Sequence, residues 1–281
     1  MKLREIYQNT DIRERISFEV FPPKEQEKYQ GLVTSLTKAK TLNPVFVSLT
    51  WGASGSTNNS LELVKTIKQN GLNIMPHFTC VCSTKEYVSY HLKILTEYGI
   101  ENILALRGDI PEDKSLLHND FKYANELVEF IKNKSNLSVG VAGYPEGHIE
   151  SENLQADIKN LKKKIDAGAD AIFTQLFFDN TKFYEYIDKV RKIGINTPII
   201  AGIMPIISQK QIDKMTSLAR ITIPKEVEEK LNTLSAEDLK IFGIEYASKQ
   251  CEELIKSNVD GLHFFTLNKI DLTAKIINNI I

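Results

Sequence analysis

The sequence has few cysteines and no long apolar run, and both shortages restrict what kind of protein it can be. It contains three cysteines, at Cys80, Cys82 and Cys251. One residue separates the first two, which is not the two-residue gap of zinc and redox motifs, so we expect buried, reduced thiols. No run approaches the roughly 18 apolar residues of a membrane span, and the N-terminus lacks the apolar core of a signal peptide. We therefore expect a cytoplasmic protein without a membrane partner.

An excess of charge of one sign is also missing. The 281 residues include 35 Lys and Arg against 36 Asp and Glu, a formal net charge of −1. Proteins that bind nucleic acid usually carry a positive excess, so we predict no nucleic-acid partner. The length suits two small domains or one α/β barrel. Because no linker or low-complexity segment interrupts the chain, we predict a single domain over residues 1–281.

Several motifs that are typical of other folds and enzyme classes are absent from the sequence. An open, doubly wound sheet usually carries Gly-x-Gly-x-x-Gly after its first strand, whereas the first predicted strand here ends at Pro22 and Pro23. No predicted strand contains a lysine for a Schiff base, which counts against a class I aldolase. The histidines never pair at i, i+4 beside a glutamate, so we predict no metal site of the zinc-hydrolase type.

The chain does contain eight short segments rich in β-branched and aromatic residues, separated by stretches with helical periodicity. We predict strands at 16–21, 46–50, 74–79, 102–106, 138–142, 171–178, 198–204 and 261–267. Eight alternations of strand and helix favour an α/β fold, a (β/α)8 TIM barrel of parallel strands. The last connection is too long for one helix, so we expect an extra helix or helices between strands seven and eight.

Polar side chains lie where most of the predicted strands end. The active site of such a barrel is built at the carboxyl ends of its strands, so these side chains should form a ring around one opening. They include Glu19, Thr50, His77, Arg107, Gly108, Asp109, Tyr144, Glu146, His148, Gln175, Thr266 and Asn268.

Glu19 is unusual because it lies within an aromatic, β-branched strand. Side chains alternate along a strand, so Glu19 faces away from Phe18 and Val20. If those two pack outward against helices, Glu19 points into an enclosed space and is either paired or kept for proton transfer. The alternative is a strand with one face in solvent. The polar side chains at the other strand ends favour the first interpretation, in which Glu19 is enclosed at the barrel mouth. We therefore predict that the pKa of Glu19 is raised.

Seven strings, in order along the chain, resemble the methylenetetrahydrofolate reductase family. They are SFEVFPPK (17–24), VSLTWGA (47–53), PHFTC (76–80), ALRGD (105–109), AGYPEGH (142–148), FTQLFFD (173–179) and HFFTLN (263–268). The resemblance implies a FAD-containing barrel that reduces 5,10-methylenetetrahydrofolate to 5-methyltetrahydrofolate with NADH or NADPH. It covers the family's catalytic domain alone, without a regulatory domain. Relatives form homo-oligomers, and we expect one here.

The resemblance also implies roles for individual residues. Glu19 matches a general acid that protonates the folate's bridging amine, so that a 5-iminium cation forms and accepts hydride from reduced flavin in a ping-pong exchange. Asp109 matches a carboxylate that binds the pterin beside the flavin, the second residue of the catalytic pair. FAD contacts are implied for Thr50, His77, Arg107, Gly108, Asp109, Tyr123, Ala124, Tyr144, His148, Asp157, Asn160, Lys163 and Lys164. Folate contacts are implied for Glu19, Asp109, Gln175, Gln211 and Lys269.

Some of these positions have other interpretations. The run 162–164 is three lysines that cannot all point the same way from a helix. Gln211 also fits a capping box that begins at Ser208. Lys269 stands where bacterial relatives have an arginine. A lysine keeps the positive charge but lacks the bidentate fork of the guanidinium. Met215 stands where some relatives have an aromatic residue.

Two other functions remain open at this point. One is a flavin-free barrel lyase or aldolase that uses Glu19 or Asp109 as a base, although nothing in the sequence supplies its electrophile. The other is a non-catalytic barrel subunit that works through a partner. The reductase predicts small-molecule partners, folate and a nicotinamide.

Overall fold

The strands of this computed structural model form a closed barrel. The structure describes residues 1–23, 25–50, 58–111 and 113–281. Every strand in the described chain pairs in parallel with its neighbours, and the last pairs with the first. The strands are β1 Ile16–Val20, β2 Val47–Leu49, β3 Ile74–Thr79, β4 Asn102–Leu106, β5 Ser138–Gly143, β6 Ala171–Thr174, β7 Ile199–Ile203 and β8 Gly261–Phe265. The predicted TIM barrel is confirmed. Lys24, Trp51, Gly52 and Ala53 of the first two family strings lie outside the described residues.

One short α-helix precedes β1, and the other α-helices of the described chain follow strands on the outside of the barrel. The helices are α1 Leu3–Ile6, α2 Tyr29–Lys38, α3 Asn58–Gln69, α4 Lys85–Glu97, α5 Ala124–Lys134, α6 Leu154–Asp166, α7 Asn180–Lys192, α8 Gln209–Leu218, α9 Lys225–Thr233, α10 Ala236–Lys256 and α11 Ile270–Ile280. Three of them, α8 to α10, lie between β7 and β8, which confirms the predicted extra helices. The Ser235 side chain caps α10 by accepting a hydrogen bond from Asp238 N. Among the helices of the described residues, none combines the length and the hydrophobicity of a transmembrane segment.

The predicted strand ends agree with the observed ones to within two residues, except in the sixth strand. There the prediction of a strand to residue 178 is wrong, because β6 ends at Thr174. Leu176 and Phe178 are buried in a cluster beneath α8 to α10, not in the sheet. An apolar run looks the same in sequence whether it fills a barrel wall or a buried loop.

Two apolar layers position the site. Phe18 and Val20 are fully buried in the main core between the barrel and its helices, which confirms that they pack outward. A second cluster inside the barrel includes Leu3 of α1, whose backbone N donates to Asn102 Oδ1 at the start of β4 (2.9 Å). Helix α1 therefore covers the amino ends of the strands, and their carboxyl ends are left to form the open mouth.

Candidate functional site

Glu19 lies inside the barrel between two histidines. Its Oε2 is 3.5 Å from Nε2 of His77, on β3, and 3.5 Å from Nε2 of His263, on β8. The exposed fraction of the side chain is 17% for Glu19, 5% for His77 and 1% for His263. The enclosed acid is therefore confirmed, and the alternative of a solvated strand face is wrong.

Two buried serines extend this acid pocket. Ser17 Oγ lies 2.7 Å from His263 Nδ1, and Ser48 Oγ lies 2.5 Å from His77 Nε2. His263 Nε2 is buried, and the polar group that faces it in the described chain is Glu19 Oε2, at 3.5 Å. Because a buried ring nitrogen needs a polar partner, Glu19 is the group that His263 Nε2 pairs with. Ser17, His263 and Glu19 thus form a line of groups able to pass or share a proton.

Sequence reasoning assigned no chemical role to Ser17, Ser48 or His263. The signal that could have found them is the parallel register of the barrel. Glu19 is opposite Ser48 on β2, and Ser17 is opposite His263 on β8. Alternation along β1 already places Ser17 on the same face as Glu19.

The predicted rise in the pKa of Glu19 is wrong for the ligand-free protein. Burial does raise this pKa, but the hydrogen-bonding contact with His263 and the charges of His77 and His263 outweigh it, so the pKa is lowered. Burial lowers the pKa of His77 to about 4, against the opposing attraction of Glu19. His77 is therefore neutral at pH 7, which leaves the polar contact with His263 to hold Glu19 ionised there.

A groove lies on the opposite side of the barrel, at the ends of β4 and β5. Its volume is about 1230 Å³, including the part open to solvent, and its walls include the start of α5 and one face of α6. It gathers most of the predicted FAD contacts, namely Arg107, Tyr123, Ala124, Tyr144, His148, Asp157, Asn160, Lys163 and Lys164. The other predicted contacts are not among its walls. Thr50 follows β2, His77 lies beside Glu19, and Gly108 and Asp109 follow β4.

The lysine run on α6 divides as helix geometry requires. Lys162 pairs with Asp166, while Lys163 and Lys164 line the groove. Lys164 Nζ donates to the carbonyl of Ala142 (2.6 Å), and burial lowers its pKa to about 8. A lysine whose charge is disfavoured by burial gains most from an anionic ligand.

Gly108 and Arg107 form the wall where β4 meets the groove. Gly108 has φ +84°, and a Cβ there would lie 2.9 Å from Thr79 Cβ, so any larger residue would be strained and crowded. The Arg107 guanidinium forms a two-pronged ion pair with Glu150, with Nη2 to Oε1 at 2.8 Å. That hydrogen bonding raises the pKa of Arg107 and lowers the pKa of Glu150.

The donors in the groove fit a dinucleotide cofactor. A diphosphate needs cations and free backbone amides, and the groove offers Lys163, Lys164, Arg107 and the N-terminus of α5. The volume of the groove and its two tyrosines, Tyr123 and Tyr144, suit a large, partly aromatic molecule.

A smaller cavity at the mouth brings together two of the predicted folate contacts. Asp109 and Gln175 line it, with Tyr144 and His148 shared between this cavity and the groove. Gln175 Oε1 accepts a hydrogen bond from Leu176 N (2.9 Å), which leaves its amide NH2 for a ligand. We call this space the mouth cavity.

The remaining predicted folate contacts lie elsewhere. Gln211 is buried, with Oε1 accepting from Ile207 N (2.8 Å) and Nε2 donating to Pro205 O (2.9 Å). The Ser208 side chain caps α8 by accepting from Gln211 N, which confirms half of the predicted capping box. The other half is wrong, because Gln211 Oε1 accepts from Ile207 N and not from Ser208 N. Lys269 is exposed after β8, at the start of α11.

The fold and these side chains define a (β/α)8 barrel with a buried acid on one side and, on the other, a groove lined by three cations and three carboxylates. The sequence model described as methylenetetrahydrofolate reductase matches residues 2–281. The chain belongs to the methylenetetrahydrofolate reductase family.

Three relatives illustrate the range of the family. The 5,10-methylenetetrahydrofolate reductase of Buchnera aphidicola subsp. Schizaphis graminum is 39% identical over 274 residues, covering 96% of this chain and 92% of the relative. The enzyme of the same name from Escherichia coli K12 is 36% identical over 265 residues, covering 93% of this chain and 88% of that enzyme. Methylenetetrahydrofolate reductase (NADH) 1 of Arabidopsis thaliana is 37% identical over 276 residues. The match covers 92% of this chain but only 46% of the plant protein, so this chain spans about half the length of that relative.

A solved structure supports the fold. An uncharacterized protein from Clostridium thermocellum, which binds two copies of 5-methyl-5,6,7,8-tetrahydrofolic acid, matches with a TM-score of 0.66. The match covers 95% of this chain and 94% of that chain at 13% identity. At this identity the likeness shows the fold alone.

Proposed function

We propose that this protein reduces 5,10-methylenetetrahydrofolate to 5-methyltetrahydrofolate, with FAD as cofactor and NADH or NADPH as electron donor. The observation that carries the proposal is a carboxyl group enclosed between two imidazoles, on the first strand of a barrel from this family. Residues 1–281 act as one catalytic domain in this proposal, and a homo-oligomer stays a prediction.

Glu19 serves as the general acid for the folate. Its task is to protonate the bridging amine nitrogen, which opens the five-membered ring and leaves a cation able to accept hydride. Glu19 is ionised in the ligand-free protein, so it must gain a proton when ligands bind. Ligands over the mouth remove its remaining exposure, and desolvation then raises its pKa. The Ser17–His263 pair lies next to Glu19 to share that proton.

The groove holds the cofactor in this proposal. FAD, when bound, supplies the hydride transfer. Lys163, Lys164 and Arg107 neutralise its diphosphate, and Arg107 exchanges the Glu150 carboxylate for phosphate oxygens. The further proposed FAD contacts are Thr50, His77, Gly108, Asp109, Tyr123, Ala124, Tyr144, His148, Asp157 and Asn160.

The mouth cavity receives the folate. Asp109 accepts hydrogen bonds from the pterin ring, and the Gln175 amide lies in the same cavity to bind it. Gln211 and Lys269 are proposed as further folate contacts. Lys269 would meet the negative charge of the glutamate tail with one ammonium group, which is a less specific match than an arginine fork.

The visible spectrum of the purified protein tests the proposal. We expect a yellow protein whose flavin absorbance bleaches with NADH or NADPH, added in turn without oxygen, and recovers on adding methylenetetrahydrofolate. A folded protein that stays colourless and takes up no FAD would contradict the proposal. Turnover of a folate without any redox cofactor would support the flavin-free lyase instead.

A further inference from the structure

Two segments far apart in sequence bind each other at one edge of the mouth. Thr222, in the connection between α8 and α9, donates from its backbone N to both carboxylate oxygens of Glu146 (3.0 Å each) and also from its hydroxyl. In return, Arg220 Nη2 donates to the carbonyls of Ile149 (3.2 Å) and Ser151 (2.9 Å). We call this set of contacts, from Arg220 and Thr222 to the loop after β5, the rim clasp.

The rim clasp supplies the polar support of the α8–α9 connection. Within the described chain, every hydrogen bond recorded for residues 220–223 runs to the loop after β5. Ile221 and Ile223 pack from below on the apolar cluster under α8 to α10. Without the clasp, the segment would keep its apolar anchor and lose its position relative to the loop.

Gly147 lies in the loop where the two segments meet, and its backbone conformation favours glycine because its φ is +85°. A Cβ at this position would lie 3.8 Å from Arg220 Nη1 and 3.5 Å from Leu154 Cα, which are ordinary contact distances. The Arg220 guanidinium therefore packs beside this turn, and Arg220 also forms part of the wall of the mouth cavity.

The clasp fixes two apolar side chains at the mouth cavity. Leu218, at the end of α8, is 60% exposed, and Ile149, in the loop, is 46% exposed, yet both line this cavity. Large exposed aliphatic groups beside polar ones are typical of a ligand site. Asp109 and Gln175, the proposed folate contacts, line the same space.

We propose that Glu146 and Arg220 are positioning residues, which hold Ile149 and Leu218 at the spacing that a planar aromatic part of the folate needs. The inference rests on the proposed function for the identity of the ligand. It goes further by assigning the folate affinity of the mouth cavity partly to the clasp. Neither Arg220 nor Glu146 lines the cofactor groove, and Ser151, which does line it, joins the clasp through its backbone carbonyl.

Trypsin tests the clasp without reference to activity. Arg220 is exposed, so cleavage after it reports how firmly the connection is held. We expect Glu146→Ala to raise the rate of cleavage after Arg220 about tenfold, because hydrogen bonds to a carboxylate are lost. Glu229→Ala, which removes an exposed carboxylate on α9, is the matched control and should leave the rate unchanged.

A reversed pair tests whether the contact itself matters. Glu146→Lys should release the connection as Glu146→Ala does, and adding Thr222→Glu should restore protection because a lysine and a glutamate can pair in the opposite sense. Cleavage after Arg220 at the wild-type rate in Glu146→Ala would overturn the clasp. So would failure of the double variant to recover protection.

Ligand binding tests the role. We expect Glu146→Ala to weaken 5-methyltetrahydrofolate binding and raise the folate KM about tenfold, with kcat and FAD affinity changed less than about twofold. An equal loss of FAD affinity, or unchanged folate affinity, would overturn the proposal. If the wild-type protein binds no folate at all, the proposed function fails, and the folate role of the clasp fails with it. If the wild-type protein binds folate and Glu146→Ala binds it equally well, the role of the clasp is refuted while the proposed function stands.

Discussion

The acid pocket and the groove, on opposite sides of one barrel, are built in different ways. The pocket places Glu19, His77 and His263 on strands, with nearly all of each imidazole buried. The groove takes its groups from loops and helix starts, and Tyr123 on its wall is 49% exposed. A proton donor depends on fixed, dry surroundings, whereas a cofactor site needs charges that an incoming ligand can reach.

The same physical effect has different consequences on the two sides. Burial lowers the pKa of His77 to about 4 and that of Lys164 to about 8. Lys164 lines a groove open to solvent, where an anionic ligand can restore its charge. His77 has Glu19 as its charged neighbour and stays neutral. This difference agrees with the proposed function, in which Lys164 meets an anionic cofactor and the pocket controls one proton.

Replacing the acid should have the largest effect. Glu19→Gln keeps the size of the side chain and removes the proton that it donates, so we expect turnover to fall about a hundredfold to ten thousandfold. FAD content should stay at the wild-type level because Glu19 does not line the groove. Steady-state assays with a flavin spectrum of each preparation check both parts, and wild-type turnover would refute the role of Glu19.

Acid should destabilise the protein through His77. The folded protein resists protonation of His77 down to about pH 4, whereas the unfolded chain takes up the proton near pH 6.5. Stability should therefore fall as the pH drops from 6.5 toward 4, by up to about 3 kcal/mol from this group. The lowered pKa of Glu19 adds a loss only at lower pH, below its unfolded value of 4.5.

Denaturant titrations at a series of pH values measure this effect. His77→Gln should flatten the pH dependence between 6.5 and 4, while His118→Gln, outside the barrel strands, should keep the wild-type slope. An unchanged slope in His77→Gln would show that His77 is not held neutral.

Removing a groove cation should have a smaller effect, confined to the cofactor. Lys164→Met keeps most of the side-chain volume and removes one charge from the groove, so we expect FAD affinity to fall about tenfold to a hundredfold. Lys162→Met is the matched control, since Lys162 pairs with Asp166 away from the groove. Fluorescence titration with FAD measures both variants, and equal affinities would argue against the groove as the diphosphate site.

The parts of the structure that follow from local sequence patterns could be predicted. The rest could not. The alternation of strands and helices predicts the barrel. The alternation of side chains along β1 predicts that Glu19 points inward while Phe18 and Val20 point outward. The family resemblance implies one ligand for Arg107 and Lys164, and both line one groove although they are 57 residues apart in sequence.

What could not be predicted depends on contacts between distant segments. The direction of the pKa shift of Glu19 depends on its 3.5 Å contacts with His77 and His263, and no local pattern gives such distances. The rim clasp joins Glu146 to Thr222, which are 76 residues apart and follow no motif. The two backbone partners of the Gln211 side chain, Ile207 N and Pro205 O, likewise depend on how the chain folds and follow no local pattern.

The division of labour between the two sides is the central claim, and the two half-reactions followed separately by anaerobic rapid mixing test it most directly. In Glu19→Gln, we predict that nicotinamide reduces the flavin within about twofold of the wild-type rate, while methylenetetrahydrofolate reoxidises it at least about a hundredfold more slowly. In Lys164→Met saturated with FAD, both rates should stay close to wild type. Reoxidation of Glu19→Gln by the folate at the wild-type rate, or equal slowing of its two half-reactions, would contradict the account.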